Sequence, residues 1–121
     1  MSKHEANGVL SRDSILACDD AKLERVEMPE WGGAVCVRTL TGAERDVFEK
    51  RAMSDGKVAV DQLRAVLVVM TAADAKGAAL FTMADIVAVN GKSAAALDRI
   101  FTVALRLNGM SAAEVEELAK N

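Results

Sequence analysis

The chain divides by the spacing of its apolar positions. From Leu23 to Met28 the residues fall alternately on two faces, with Leu23, Arg25 and Glu27 on one and Glu24, Val26 and Met28 on the other. After Pro29-Glu30-Trp31-Gly32-Gly33 comes Ala34 to Leu40, rich in β-branched residues. Two β-prone runs around a Pro and Gly-Gly segment predict an antiparallel hairpin. No other stretch carries a comparable β signal.

Beyond Leu40 the pattern takes the period of a helix. Thr41-Gly-Ala-Glu44 is a capping box, and the helix it opens places Ala43, Val47, Phe48, Arg51 and Ala52 along one stripe as far as Ser54-Asp55-Gly56. A second helix, from about Val58 to Ala73, carries Leu63, Val66, Leu67 and Met70 at i, i+3, i+4 and i+7. It is apolar all round from Val66 to Met70, as expected of a helix buried on more than one side. Asp74 to Gly77 reads as a turn. Thr82-Met83-Ala84-Asp85 is a second capping box, opening about two turns that end at the C-cap pair Asn90-Gly91.

Ser93 caps the strongest helix, Ala94 to Asn108. Leu97, Ile100, Phe101, Ala104 and Leu105 form its stripe, which Ala96, Val103 and Leu107 widen to an arc of about 200°. So wide an arc exceeds what one side of a small domain covers, which makes its edge, Val103 and Leu107, a candidate partner-binding surface for a second copy or another protein. Ser111-Ala-Ala-Glu114 opens a last short helix to Lys120. Upstream, residues 1–10 are expected to be unordered, and Ser11 marks a short helix ended by Asp19-Asp20. The predicted fold class is α+β and mainly helical. It consists of an N-terminal antiparallel β-hairpin beside four to five α-helices, in one domain over residues 11–121.

Composition narrows the function. Half of the 121 residues are hydrophobic (51 %), but 22 are Ala, with only three Phe and one Trp, so the core is thin. A net charge of −3 supplies no basic stripe for duplex DNA. Arg99 and Arg106 share a helix face but are bordered by Asp98, and they are the weak basis for a rival reading as a small helical DNA-binding or transcription-regulator protein. The first ten residues lack the apolar segment of a secretory signal. The longest apolar run, Ala65 to Met70, falls far short of the roughly 20 residues that span a bilayer. A cytoplasmic protein with free thiols at Cys18 and Cys36, touching neither membrane nor nucleic acid, is the expectation.

Catalytic chemistry finds no purchase. Asn90-Gly91-Lys92-Ser93 ends like a phosphate-binding loop, but Ile86 stands where that motif requires Gly and no strand precedes it. Neither cysteine has a base in sight: the one His is His4, in the N-terminal tail, and Cys36 reads as a small buried thiol in mid-strand. No CxxC, HxxxH or HExxH spacing occurs. Asp19 and Asp20 diverge in a turn, and Glu114, Glu116 and Glu117 suit a helix N-terminus. No enzyme activity, cofactor or metal is therefore expected. The remaining candidate is apolar surface. The methionines fill gaps in cores more often than they bind partners. Trp31 is different, held between Pro29 and Gly32-Gly33 in a turn where full burial is hard. It either packs back over the hairpin or meets a partner.

The stretch from Glu24 to Arg51, above all Pro29-Glu-Trp-Gly-Gly33 joined to Leu40-Thr-Gly-Ala-Glu-Arg45, resembles the tail assembly chaperones of long-tailed bacteriophages and their prophages. So do Gly77-Ala-Ala-Leu-Phe-Thr82, Gly91-Lys-Ser93, Ala96-Leu-Asp-Arg99, Leu107-Asn-Gly-Met-Ser111 and Val115-Glu-Glu-Leu118. The likeness covers nearly everything from Leu10 to Asn121. It implies a small, mostly helical protein of the host bacterial cytoplasm. Such a protein binds the tape-measure protein, promotes polymerisation of tail-tube protein around it, and is absent from the finished virion. No catalytic or ligand residue comes with the resemblance.

Overall fold

The computed structural model describes residues 6–53 and 60–120. The hairpin forms as its alternation predicts: β1 (Leu23–Met28) pairs antiparallel with β2 (Gly33–Arg38), from Leu23 opposite Arg38 to Met28 opposite Gly33. Val26 and Met28 are buried and Leu23, Arg25 and Glu27 exposed, so the two faces separate as the pattern requires. A 3-10 turn, Pro29–Trp31, joins the strands and closes on Gly32 at φ 77, a left-handed conformation that glycine adopts without strain.

The predicted second helix is shorter than its pattern suggests. α3 (Val60–Thr71) stops two residues early, and Ala72–Ala73 form a third strand, β3, antiparallel to β2 with Ala72 opposite Val37 and Ala73 opposite Cys36. Alanine prefers helix, but the second edge of β2 offers backbone partners that local propensity does not outweigh. The Thr71 hydroxyl donates to the Leu67 carbonyl (2.7 Å), and the chain turns back through Asp74, whose Oδ1 accepts from the backbone of Lys76 (2.8 Å) and Ala78 (3.0 Å).

Five α-helices follow the hairpin among the described residues: α2 (Gly42–Met53), α3, α4 (Ile86–Asn90), α5 (Ala94–Leu107) and α6 (Ala112–Lys120). The architecture is α+β and mainly helical, as expected. A six-residue helix, α1 (Arg12–Ala17), precedes the hairpin and is capped by Ser11. Of the tail expected to be unordered, residues 1–5 lie outside the described residues and Ala6–Gly8 form one 3-10 turn. The predicted ends of two helices at Ser54–Gly56 and Val58 also lie outside them. Gly91 follows α4 at φ −81, so this glycine ends the helix without the left-handed conformation expected of it; Gly109, after α5, takes that role at φ 66.

α5 lies at the centre, packed on α3 on one side and on β2 on the other. Its Leu97, Ile100 and Ala104 are fully buried with Leu63 and Leu67 of α3, Phe48 of α2, Met28 and Val37 of the hairpin, and Val115 of α6. This double cover accounts for the 200° arc.

Two polar clasps fix where the hairpin hands over to the helices. Arg38, at the end of β2, donates to both carboxylate oxygens of Glu44 (3.0 and 2.8 Å), while Glu44 also accepts from the Thr41 N–H (2.9 Å). The second clasp is Asn108. Its Oδ1 accepts from the Leu40 N–H (2.7 Å), its Nδ2 donates to the carbonyls of Ala104 (2.9 Å) and Arg38 (3.4 Å), and its own carbonyl accepts from Arg45 (3.2 Å). One side chain thus joins the end of α5 to the start of α2.

Asn108→Ala leaves the Leu40 N–H without its partner and is expected to cost about 2–3 kcal/mol in urea denaturation. The Arg38 guanidinium, hydrogen-bonded to Glu44, lowers that carboxyl from 4.5 to about 2, with the Thr41 N–H adding to the shift and burial opposing it. A carboxyl depressed in the folded state contributes stability that is fully present above its unfolded value and is lost as pH falls toward about 2. Glu44→Gln should therefore destabilise at neutral pH by about 1–2 kcal/mol, less than the shift alone implies because a third of the side chain (33 %) meets solvent. The variant's stability should fall less steeply than the parent's between pH of about 4.5 and 2, measured by denaturation at a series of pH values.

Candidate interaction groove

An apolar groove of about 430 Å³ lies between the hairpin turn and the α3–α4 region. Its floor is Val68 and Val89, both buried, and its walls are Trp31 and Phe81. Asp85 and Lys92 supply the polar lining. Each residue is placed by an element already described. Trp31 ends the 3-10 turn between β1 and β2, Val68 lies on the all-round apolar half of α3, and Ala88 and Val89 lie on α4. Asp85 is held in position by accepting from the Thr82 N–H (2.9 Å), part of the predicted capping box. Trp31 is 39 % exposed, so it neither folds fully into the hairpin nor stands free.

The three residues singled out in the sequence do not meet. Trp31 is in the groove. Val103 and Leu107 are half-buried, pack against the core, and do not line it. The reason is the flank they occupy. Arg99 and Arg106, two turns apart on α5, reach across to the hairpin. Arg99 grips both carboxylate oxygens of Glu30, at 3.0 Å for its Nη2 bond, with Nη1 also 3.4 Å from the Met28 sulfur; Arg106 meets Glu24 at 2.5 Å. Val103 lies between these two arginines along the helix and, like Leu107, is half-buried against the core. The Arg99 hydrogen bond also holds the Glu30 carboxyl below its usual range. On the other flank Asp98 accepts from Arg64 of α3 (2.8 Å).

Phe81, Val68 and Val89 were not distinguished by sequence as site residues, and Lys92 entered only through the phosphate-loop-like segment that the sequence excludes. The only signal was the excess apolar character of Val66 to Met70, which marked α3 as covered on several sides without saying by what. Cys18 is exposed and Cys36 half-buried on β2, both as free thiols, so Cys36 is less covered than a mid-strand core position would be. Among the described residues no cluster of His, Cys, Asp and Glu has the arrangement to hold a metal ion, and no helix is long and apolar enough to cross a membrane. No family model, curated protein or solved structure matches the chain.

The two surfaces should respond differently to charge. Leu107→Asp places a carboxylate in half-buried apolar packing and is expected to cost about 2–3 kcal/mol of stability. Ala88→Arg, at an exposed position of the groove, should leave the unfolding midpoint within about 0.5 kcal/mol of the parent. Chemical denaturation of both variants checks the pair.

Proposed function

We propose that this protein is a bacteriophage tail assembly chaperone, a non-catalytic protein of the host cytoplasm that binds the tape-measure protein and promotes polymerisation of tail-tube protein. The observation that supports it best is the groove walled by Trp31. The Pro29-Glu-Trp-Gly-Gly33 segment, the most specific part of the resemblance, forms the turn that presents this ring over an apolar floor. A long tape-measure helix carries apolar stripes before assembly, and an apolar groove with an acidic and a basic residue in its lining suits one such helix face. The rival DNA-binding reading depends on Arg99 and Arg106, and both are engaged by Glu30 and Glu24.

Co-expression with a tape-measure protein, sought among the neighbouring genes, tests the assignment. Trp31→Ala and Ala88→Arg are each expected to reduce co-purification of the tape-measure protein at least tenfold while the variants melt cooperatively. Undiminished capture by both folded variants would move the binding surface elsewhere, and no capture by the parent protein would remove the assignment.

A further inference from the structure

Among the described residues β1 is an edge strand: in the order β1-β2-β3 it pairs with β2 alone. Thr39 donates to the Lys22 carbonyl (3.0 Å), so the ladder alternation turns the backbone groups of Glu24, Val26 and Met28 toward β2. Those of Leu23, Arg25 and Glu27 point outward, and no named strand of the sheet takes them up. Sheet edges of this kind are usually blunted by charged side chains, by Pro, or by a covering element. Here the two charged side chains of the exposed outer face, beside Leu23, are opposite in sign: Arg25 and Glu27, each 69 % exposed, bonded to each other at 3.1 Å.

We propose that β1 is a self-complementary edge at which two copies of this chain join in an antiparallel pair, with the two-fold axis at Val26. That register is chosen by charge and by hydrogen bonding together. With the axis at Val26, Arg25 faces Glu27 of the second copy and Glu27 faces its Arg25. Both facing pairs consist of residues whose backbone groups point outward, so they exchange four N–H···O bonds. An axis at Arg25 or at Glu27 sets like charges against each other, and one at Glu24 puts Arg25 opposite Leu23. Opposite charges directly across a ladder stabilise it and like charges do the reverse.

The geometry leaves room for the helices. α5 rests mainly on β2 rather than β1. The two β2 strands of the pair stand three strand spacings apart, about 14 Å, and two packed helices need about 8–10 Å. The result is a continuous six-stranded sheet, and none of Leu23, Arg25 and Glu27 lines the Trp31 groove, so the pairing rests on different residues from the chaperone assignment.

Sedimentation equilibrium from about 5 to 500 µM tests it on the full chain. The parent protein should show a reversible dimer that weakens with salt. Arg25→Glu and Glu27→Arg should each weaken self-association at least tenfold. Mixing those two variants should give a heterodimer at least tenfold tighter than either alone, because every facing pair is then opposite in sign, and the double exchange R25E/E27R should restore the parent's association. Circular dichroism melts accompany each variant, and should one single variant not fold, the other single variant and the double exchange decide the matter. A parent protein monomeric throughout the range, single variants that dimerise as well as the parent, or a mixture no tighter than its components would overturn the proposal.

Discussion

A helix that is apolar over more than half its circumference has to be covered on two sides. In a chain with 22 alanines and four aromatic residues no single layer is thick enough to do so. α5 is that helix, and the fold is arranged around it with α3 on one flank and the hairpin on the other. Burial of Leu97, Ile100 and Ala104 supplies the stabilisation. The polar side chains then decide its rotation: Asp98 is tied to Arg64, Arg99 to Glu30 and Arg106 to Glu24. Each of these pairs is at least partly exposed and contributes modestly by itself. Three of them, spread over both flanks, leave α5 one orientation.

The groove follows from the same shortage of large side chains. α3 is apolar all round from Val66 to Met70 and therefore needs cover beyond α5. α4 provides it over only five residues, with Ala88 at the point where a larger side chain would close the gap. Trp31 leans in from the hairpin turn but stays more than a third exposed. The space between them is thus a consequence of how a small helix and a turn cover a buried one. Its position is fixed by α5, which sets the distance between the hairpin and α3.

Much of the architecture was legible because its signals are local. The alternation at Leu23–Met28, the capping residues Ser93 and Ser111 and the Thr41–Glu44 box all act within a few residues, and each forms as its pattern implies. What escaped depends on distant partners. Ala72 and Ala73 have no strand propensity, and only the edge of β2 makes them a strand. Asn108 looks like an ordinary helix end, yet its side chain bonds to Leu40, which is remote in the chain. Val103 and Leu107 sit on the wide arc as predicted, but the width records two neighbouring layers inside the molecule, so an arc that reads as surplus in sequence is largely occupied in the fold. Trp31 was legible as a candidate because its turn is local, and the structure places it in the groove's lining. Phe81 and Val89 were not, because nothing in their own segments says that Trp31 lies across from them.

The charges of the hairpin carry the argument one step further. In composition, Glu24, Arg25, Glu27 and Glu30 are four charged residues of one short segment. The strand period and the turn divide them. Glu24 and Glu30, near the two ends of β1, reach α5 and orient it, so their carboxylates serve the inside of the molecule. Arg25 and Glu27 fall on the opposite face, at residues whose backbone groups face away from β2, and among the described residues they bond to each other. A charge pattern that looks uniform along the chain therefore has two functions in space. One holds the hairpin to the central helix, and the other sets the character of the sheet's open edge. Which residue does which follows from the register of β1 against β2, and a one-residue slip of that register would exchange the two roles.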